Sequence, residues 1–178
     1  MNIEQLKIAE QTSEFDTDDW LTVRDQKFME WFGDESAVQF AQIIGQSAEL
    51  FDDILDRDVA INQDQVFNLM HSLWGILPFN DFWNRHKGFL MPVLLMSLNA
   101  WLVANKLEDG DSNDRVYAYT TRNLTLQVLP LMVYVLHGDA RMRELSYEIH
   151  KFFTGHETLD EYLDKTDSII YAKNGETS

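Results

Sequence analysis

Apolar residues recur along most of this chain at the three- and four-residue spacing that marks one face of a helix. In residues 36–56 they form a stripe, which consists of Ala37, Ala41, Ile44, Ala48, Phe51 and Leu55. Ser36, with Gln39 three residues later, matches a capping box at the start of this stretch. The pattern therefore predicts a helix over 36–56 that buries the stripe.

Capping residues, prolines and glycines predict the remaining helices. In chain order these are a helix from Asn62 to Leu77, a long helix from Pro92 to Leu107, a helix over 113–137, a helix from Asp139 to Gly155, and a short helix opened by Thr158 and Glu161. The long helix is placed after Met91 because a proline disfavours helical geometry in the residue before it. Pro130 predicts a kink in the fourth helix, and Gly138 suits a left-handed C-cap.

The fold class predicted is all-α. We expect a single-domain helical bundle of about five to seven helices with two central apolar helices, because the sequence carries no strand signal of comparable strength. Residues 1–20 are interpreted as an acidic N-terminal arm or short helix, residues 21–170 as the bundle domain, and residues 171–178 as a frayed C-terminal tail.

Two runs are apolar nearly all round: FLMPVLLMSLNAWLVA, residues 89–104, and LTLQVLPLMVYVLHG, residues 124–138. A membrane-spanning helix needs about 20 apolar residues, and both runs fall short of that length, so a membrane is the less favoured setting. Basic clusters at 85–87 and 141–143, with an acidic loop between the runs, keep a membrane hairpin open as an alternative. The favoured interpretation is a central pair of core helices. Burial of part of this surface against a second copy or a partner protein is a further alternative.

Charge and composition restrict the kinds of partner. Thirty acidic residues against 14 basic ones give a formal net charge of −16, which repels a phosphate backbone, so direct nucleic-acid binding is not expected. The sequence contains no cysteine, which excludes disulfides and thiolate metal sites. The first 20 residues lack the basic and then apolar pattern of a secretory signal, so we expect a cytoplasmic location.

No motif in the sequence specifies a catalytic, cofactor or metal site. There is no Glu-x-x-His pair of the kind a di-iron bundle uses, no phosphate-binding glycine loop and no nucleophile motif. We therefore expect no cofactor and favour a protein that is not an enzyme.

Four polar residues, Asn99, Arg122, Asn123 and Gln127, interrupt or flank the apolar runs. In antiparallel neighbouring helices these side chains would meet, and a buried Arg122 requires a carboxylate or several carbonyl groups as partners. Two interpretations stay open. One is a structural network that fixes the register of the helices, and the other is a small pocket for an anionic or polar ligand with Arg122 as its anchor.

Two further groups of residues are candidates for a contact surface. The first is an aromatic joint between helices, formed by Trp74, Phe79, Phe82 and Trp83. The second is an acidic run that could imitate a row of phosphates and so inhibit a DNA- or RNA-binding enzyme: Asp52, Asp53, Asp56 and Asp58. Phe51, Ile54 and Leu55 in the same run predict that one side of this helix is buried. Core packing for the rings and a solvated helix face for the acids are the competing interpretations.

The stretch YAYTTRNLTLQVLPLMVYVLHGDARMRELSYEIHKFF, residues 117–153, resembles small acidic helical proteins of tailed bacteriophages. The resemblance extends back through FWNRHKGFLMPVLLMSLNAWLVANKLE and covers a little over half of the chain. It implies a phage origin, a location in the host cytoplasm or the virion, and an accessory, structural or host-directed role, and it carries over no catalytic residue. The function expected is therefore non-enzymatic interaction with a protein partner or with another copy of the chain.

Overall fold

The computed structural model of the chain describes residues 17–56, 61–154 and 158–166. The α-helices are α1 (Thr17–Phe32), α2 (Glu35–Asp56), α3 (Gln63–Met70), α4 (Asp81–Leu107), α5 (Ser112–Arg122), α6 (Val128–His137), α7 (Asp139–Thr154) and α8 (159–166). A π-helical segment, His71–Ile76, and two 3₁₀ segments, Leu77–Phe79 and Asn123–Gln127, extend or join them. These residues contain no strand, so the prediction of an all-α fold is confirmed.

The elements join end to end into a smaller number of continuous helical segments. Among the described residues there are six such segments up to residue 154, and α8 adds a seventh, in agreement with the predicted five to seven helices. By its internal contacts the chain divides into two compact units, residues 1–84 and 85–178. Most of the predicted N-terminal arm, residues 1–16, and the whole predicted tail, 171–178, lie outside the described residues.

The first unit is built on α1 and α2, which are joined by a polar bridge and by packed rings. Gln42 on α2 donates a hydrogen bond of 2.8 Å to Asp25 on α1, whose other carboxylate oxygen pairs with the buried Arg24 at 2.9 Å. The rings of Phe28, Trp31 and Phe32 on α1 are almost completely buried. Gly33 follows α1 with a positive φ of 60°, which glycine adopts without the strain of a side chain.

Helix α2 begins at Glu35 and is capped by Asp34, two residues before the predicted cap Ser36, and it buries a different face from the one predicted. Asp34, not Ser36, accepts hydrogen bonds from the first free backbone N–H groups, at 2.8 and 3.1 Å. The buried side of the helix follows Phe40, Ile43, Ser47 and Leu50. The predicted stripe was wrong beyond position 41: Ile44 is only partly buried, Ala48 and Phe51 are exposed, and the side chain of Leu55 lies outside the described residues. Ser47 was not part of the predicted stripe. The hydroxyl of Ser47 donates to the Ile43 carbonyl at 2.6 Å, and this polar residue can therefore be buried.

Helix α3 starts as predicted, with a complete capping box between Asn62 and Gln65. The long helix α4, by contrast, starts eleven residues before the predicted Pro92, so that this proline lies inside the helix. Its N-terminus is fixed by the buried Asn80, whose side-chain oxygen accepts from the Trp83 N–H at 2.8 Å and whose amide donates to the Ser36 carbonyl on α2 at 2.8 Å. Pro92 itself removes one backbone hydrogen bond from the interior of this helix.

The second unit contains most of α4 together with α5 to α8. Asp111 caps α5 through a capping box with Asp114. The helix predicted over 113–137 is not α-helical throughout, because the 3₁₀ segment Asn123–Gln127 separates α5 from α6. Helix α6 ends at His137 and is capped by Gly138, whose φ of 85° is positive as predicted. Helix α7, in which Leu145 and Ile149 are buried, then packs back against α6.

The two apolar helices differ in how far they are buried. Half of the ten residues of α6 are buried, including Val128, Met132 and Val133. Along the most apolar stretch of α4, by contrast, only 22% of the residues are buried. The expectation that both helices are central therefore describes α6 and does not describe α4.

Candidate interaction surface

One face of α4 presents a continuous set of large apolar side chains that the rest of the described structure leaves uncovered. We call this set the apolar strip; it consists of Phe89, Met91, Leu95, Met96, Leu98, Leu102 and Val103, with exposed fractions of 41 to 65%. At 3.6 residues per turn these positions fall on about one half of the helix circumference. The strip is therefore a surface rather than a scatter of single exposed residues.

The opposite face of α4 carries the residues of this stretch that are buried in the protein. Leu90, Ser97 and Ala104 recur every seven residues on that side and are buried, together with Ala100. Near the C-terminus of α4, Ala104 packs in a buried cluster with Ala118 of α5 and Tyr162 of α8. Three of these α4 residues are small, so they allow close approach of neighbouring helices and bury little apolar surface.

The strip is large for an uncovered apolar surface. It runs about 21 Å along the helix from Phe89 to Val103, at about 1.5 Å per residue. Roughly half of each of seven large residues, at about 200 Å² per residue, amounts to on the order of 700 Å², whereas the largest apolar patch of a typical monomer covers about 300–600 Å². Covering it would contribute favourably to binding, because each fully buried side chain of this kind is worth about 1.5–3 kcal/mol.

Asn99 is the one polar side chain between Phe89 and Val103 on the same half of the helix as the strip. It is exposed, and it lies between Met96 and Leu102 on the same half of the helix. Among the described residues no hydrogen bond or ion pair joins it to Arg122 or Asn123. The structure therefore separates Asn99 from the polar group in which sequence reasoning had placed it.

Arg122 meets a carboxylate, as its partly buried position requires. Its Nη2 atom lies 2.9 Å from Oε1 of Glu108 and donates to Oδ1 of Asn105 at 3.1 Å. The same Glu108 oxygen accepts a 2.6 Å hydrogen bond from the hydroxyl of Tyr162, whose ring packs 5.2 Å from that of Tyr119. Three helical segments are tied together by this network. The Nε atom of Arg122 is buried and has no hydrogen-bond partner among the described residues.

The other two polar candidates serve local contacts. The Asn123 amide donates to the Tyr119 carbonyl of the preceding turn at 2.9 Å. Gln127 lies 3.1 Å from the ring nitrogen Nε2 of His150 on α7. The geometry around Arg122 is thus that of a cross-helix network made with Glu108, Asn105 and Tyr162, residues that the sequence pattern did not single out. No local sequence signal marked Glu108 or Tyr162, because only the fold brings these two residues, 54 positions apart, to Arg122.

The aromatic joint of the first unit is divided between core and surface. Phe82 is fully buried with its ring 5.5 Å from that of Phe40, and the partly buried Trp83 stacks on the same ring at 5.7 Å. Trp74 and Phe79 are 73% and 81% exposed. Two of the four predicted contact residues are therefore accessible, and two hold the start of α4.

The acidic run does not form a regular exposed array in the described residues. Asp52 and Asp53 are partly buried, the side chain of Asp56 and the whole of Asp58 lie outside the described residues, and Phe51 and Ile54, expected to be buried, are about 40% exposed. This is a correction to the predicted burial. The buried face of the helix instead follows Phe40, Ile43, Ser47 and Leu50.

A cleft of about 330 Å³ lies between α2 and α3, with Ile43, Leu50 and Leu69 among its apolar lining and Glu49 and Asp53 among its polar lining. The pKa of Glu49 is raised from its ordinary value, because neighbouring protein atoms exclude water from the carboxyl; the nearby Arg24 opposes this rise and Asp53 adds to it. Among the described residues no cluster of three or more acidic or histidine side chains is arranged to hold a metal ion.

Of the described helices, α4 alone has the length and apolar composition of a membrane-spanning segment. The apolar run 89–104 is 16 residues long, which is too short to span a bilayer, whereas α4 as a whole is 27 residues long. Core helices of soluble proteins meet the same criterion, so it indicates a property of the helix and not a location.

Comparison with protein-family models, with curated proteins and with solved structures finds no match to this chain.

Proposed function

We propose that this chain is a non-enzymatic interaction protein that acts by binding another protein surface through the apolar strip. The observation that carries the proposal is the strip itself: seven large apolar side chains on one exposed half-face, without a charged residue between Phe89 and Val103. A surface of this size and composition is typical of protein interfaces. The resemblance to phage proteins adds an accessory role in a phage particle or an infected cell as the setting.

The proposal is tested by photo-crosslinking the full chain in cells that produce it. A benzoylphenylalanine residue replaces Leu98, at the centre of the strip, and in a matched control replaces Tyr147, which is 76% exposed on α7. We expect a covalent protein adduct from position 98, of whatever partner including the chain itself, and none from position 147. A folded protein that gives no adduct at position 98, or equal adducts at both, would contradict the proposal.

A second candidate function, insertion of α4 into a membrane, is favoured by the length and apolar composition of that helix. Arg85 and Lys87 before the strip and the acidic residues after α4 agree with the charge asymmetry of membrane segments. Flotation of the purified chain with phosphatidylcholine vesicles separates the two functions. Vesicle binding that is lost in Leu98→Asp, combined with no protein adduct at position 98, would favour the membrane.

A further inference from the structure

We infer that the occupant of the apolar strip is the strip of a second copy of this chain, bound antiparallel about a twofold axis close to Met96. This inference deepens the proposed function and rests on it, because it names the partner of the same surface. Two features of α4 support it: the area of the strip and the charges at its two ends.

The area of the strip agrees with that of a symmetric dimer. A twofold interface uses the same patch on both copies, and a stable interface of standard size buries about 800 Å² on each partner. The strip offers on the order of 700 Å² of exposed residue surface, and its ends would add flanking polar residues as a rim. The strip and this rim together therefore reach the area that a twofold dimer needs.

The charges at the two ends of α4 favour the antiparallel direction. The exposed Arg85 and Lys87 precede the strip, and the exposed Asp109 and Asp111, which outnumber the exposed Lys106 in the last turn of α4, follow it. Antiparallel pairing places the basic end of one copy beside the acidic end of the other, whereas parallel pairing places like charges together at both ends. Complementary end charges select orientation even where they add little affinity.

The first measurement is the mass of the purified full chain in detergent-free buffer by light scattering on a column. We expect twice the chain mass of 20.8 kDa for the native protein. Leu98→Glu should elute with the mass of one chain and unchanged helical circular dichroism, and Tyr147→Glu, the matched control on α7, should keep the mass of two. A native protein that has the mass of one chain across a hundredfold range of concentration overturns the inference.

The second measurement uses the absence of cysteine from the chain to determine direction. Phe89→Cys and Val103→Cys proteins, distinguished by a tag, are mixed and treated with a short bismaleimide. The antiparallel pair gives the mixed 89–103 dimer in at least tenfold excess over the 89–89 and 103–103 dimers, and Met96→Cys crosslinks to itself. Dominant 89–89 and 103–103 dimers would mean a parallel pair and would overturn the inference.

These outcomes separate the inference from the function on which it rests. If the purified chain is monomeric and position 98 crosslinks to a different protein in cells, the dimer is contradicted and the proposed interaction function still holds. A monomer that floats with vesicles and gives no protein adduct removes both.

Discussion

The Arg122 network provides a prediction whose size follows from the distances and burial of its members. Replacement of Arg122 by alanine removes an ion pair to Glu108 at 2.9 Å and a hydrogen bond to Asn105 at 3.1 Å. A fully buried pair costs about 3–5 kcal/mol to break, and an exposed pair costs at most about 1 kcal/mol. The side chains of Arg122 and Glu108 are 29% and 22% exposed, between these limits. We therefore expect Arg122→Ala to lower the free energy of unfolding by about 2 kcal/mol.

The assay is urea unfolding followed by circular dichroism, with thermal unfolding as a second measure, in which about 2 kcal/mol corresponds to a fall in Tm of roughly 4–8 °C for a chain of this size. The matched control is Arg143→Ala, because Arg143 pairs with Asp139 at the same distance of 2.9 Å but is 76% exposed. We expect no measurable change in the control. Glu108→Ala and the double variant complete a cycle, with a coupling free energy of about 1–2 kcal/mol.

The result that would refute this reasoning is an Arg122→Ala protein as stable as the Arg143→Ala control. Stability would then not depend on the network, and Arg122 would be available for a ligand. In that event the pocket interpretation predicts that sulfate or phosphate raises the Tm of the native protein and not that of Arg122→Ala, because a ligand that binds only the folded state stabilises it.

Three further predictions concern other parts of the chain. Asn80→Ala should lower the free energy of unfolding by about 2 kcal/mol, because α4 loses its N-cap and the Ser36 carbonyl loses a buried donor. Urea unfolding measures this free energy, and a change below about 0.5 kcal/mol would contradict the role of the cap. Glu49→Gln should stabilise the protein near neutral pH. Burial raises the folded-state pKa of Glu49 above the ordinary 4.5, so ionisation of this carboxyl as the pH rises through the folded-state pKa lowers the stability of the native protein. The gain in stability of the variant should therefore disappear below pH 4.5, and a gain independent of pH would exclude this cause. Gly138→Ala should destabilise the protein by about 1 kcal/mol, because the φ of 85° at this turn between α6 and α7 strains a residue with a side chain. Thermal unfolding measures the loss of stability, and an unchanged Tm would show that the strain is relieved elsewhere.

Much of the fold could be predicted from the sequence because its signals are local. Capping boxes at Asn62 and Thr158 and the positive φ at Gly138 all depend on residues within a few positions of each other. The boundaries that failed have a distant cause. Helix α4 extends back to Asp81 because Asn80 is held by α2, more than 40 residues earlier in the chain.

The candidate surface was the part that the sequence determined least. An apolar residue is equally apolar in a core and in an uncovered face, so the hydrophobic pattern of residues 89–104 was compatible with a central helix, a membrane segment and an interface. Likewise, the sequence required a carboxylate for Arg122 but did not choose Glu108, because that choice depends on where α5 and α8 meet the end of α4. Local spacing and backbone preference therefore determined which residues are helical, and the tertiary structure alone decided which side of each helix is covered and which charges meet.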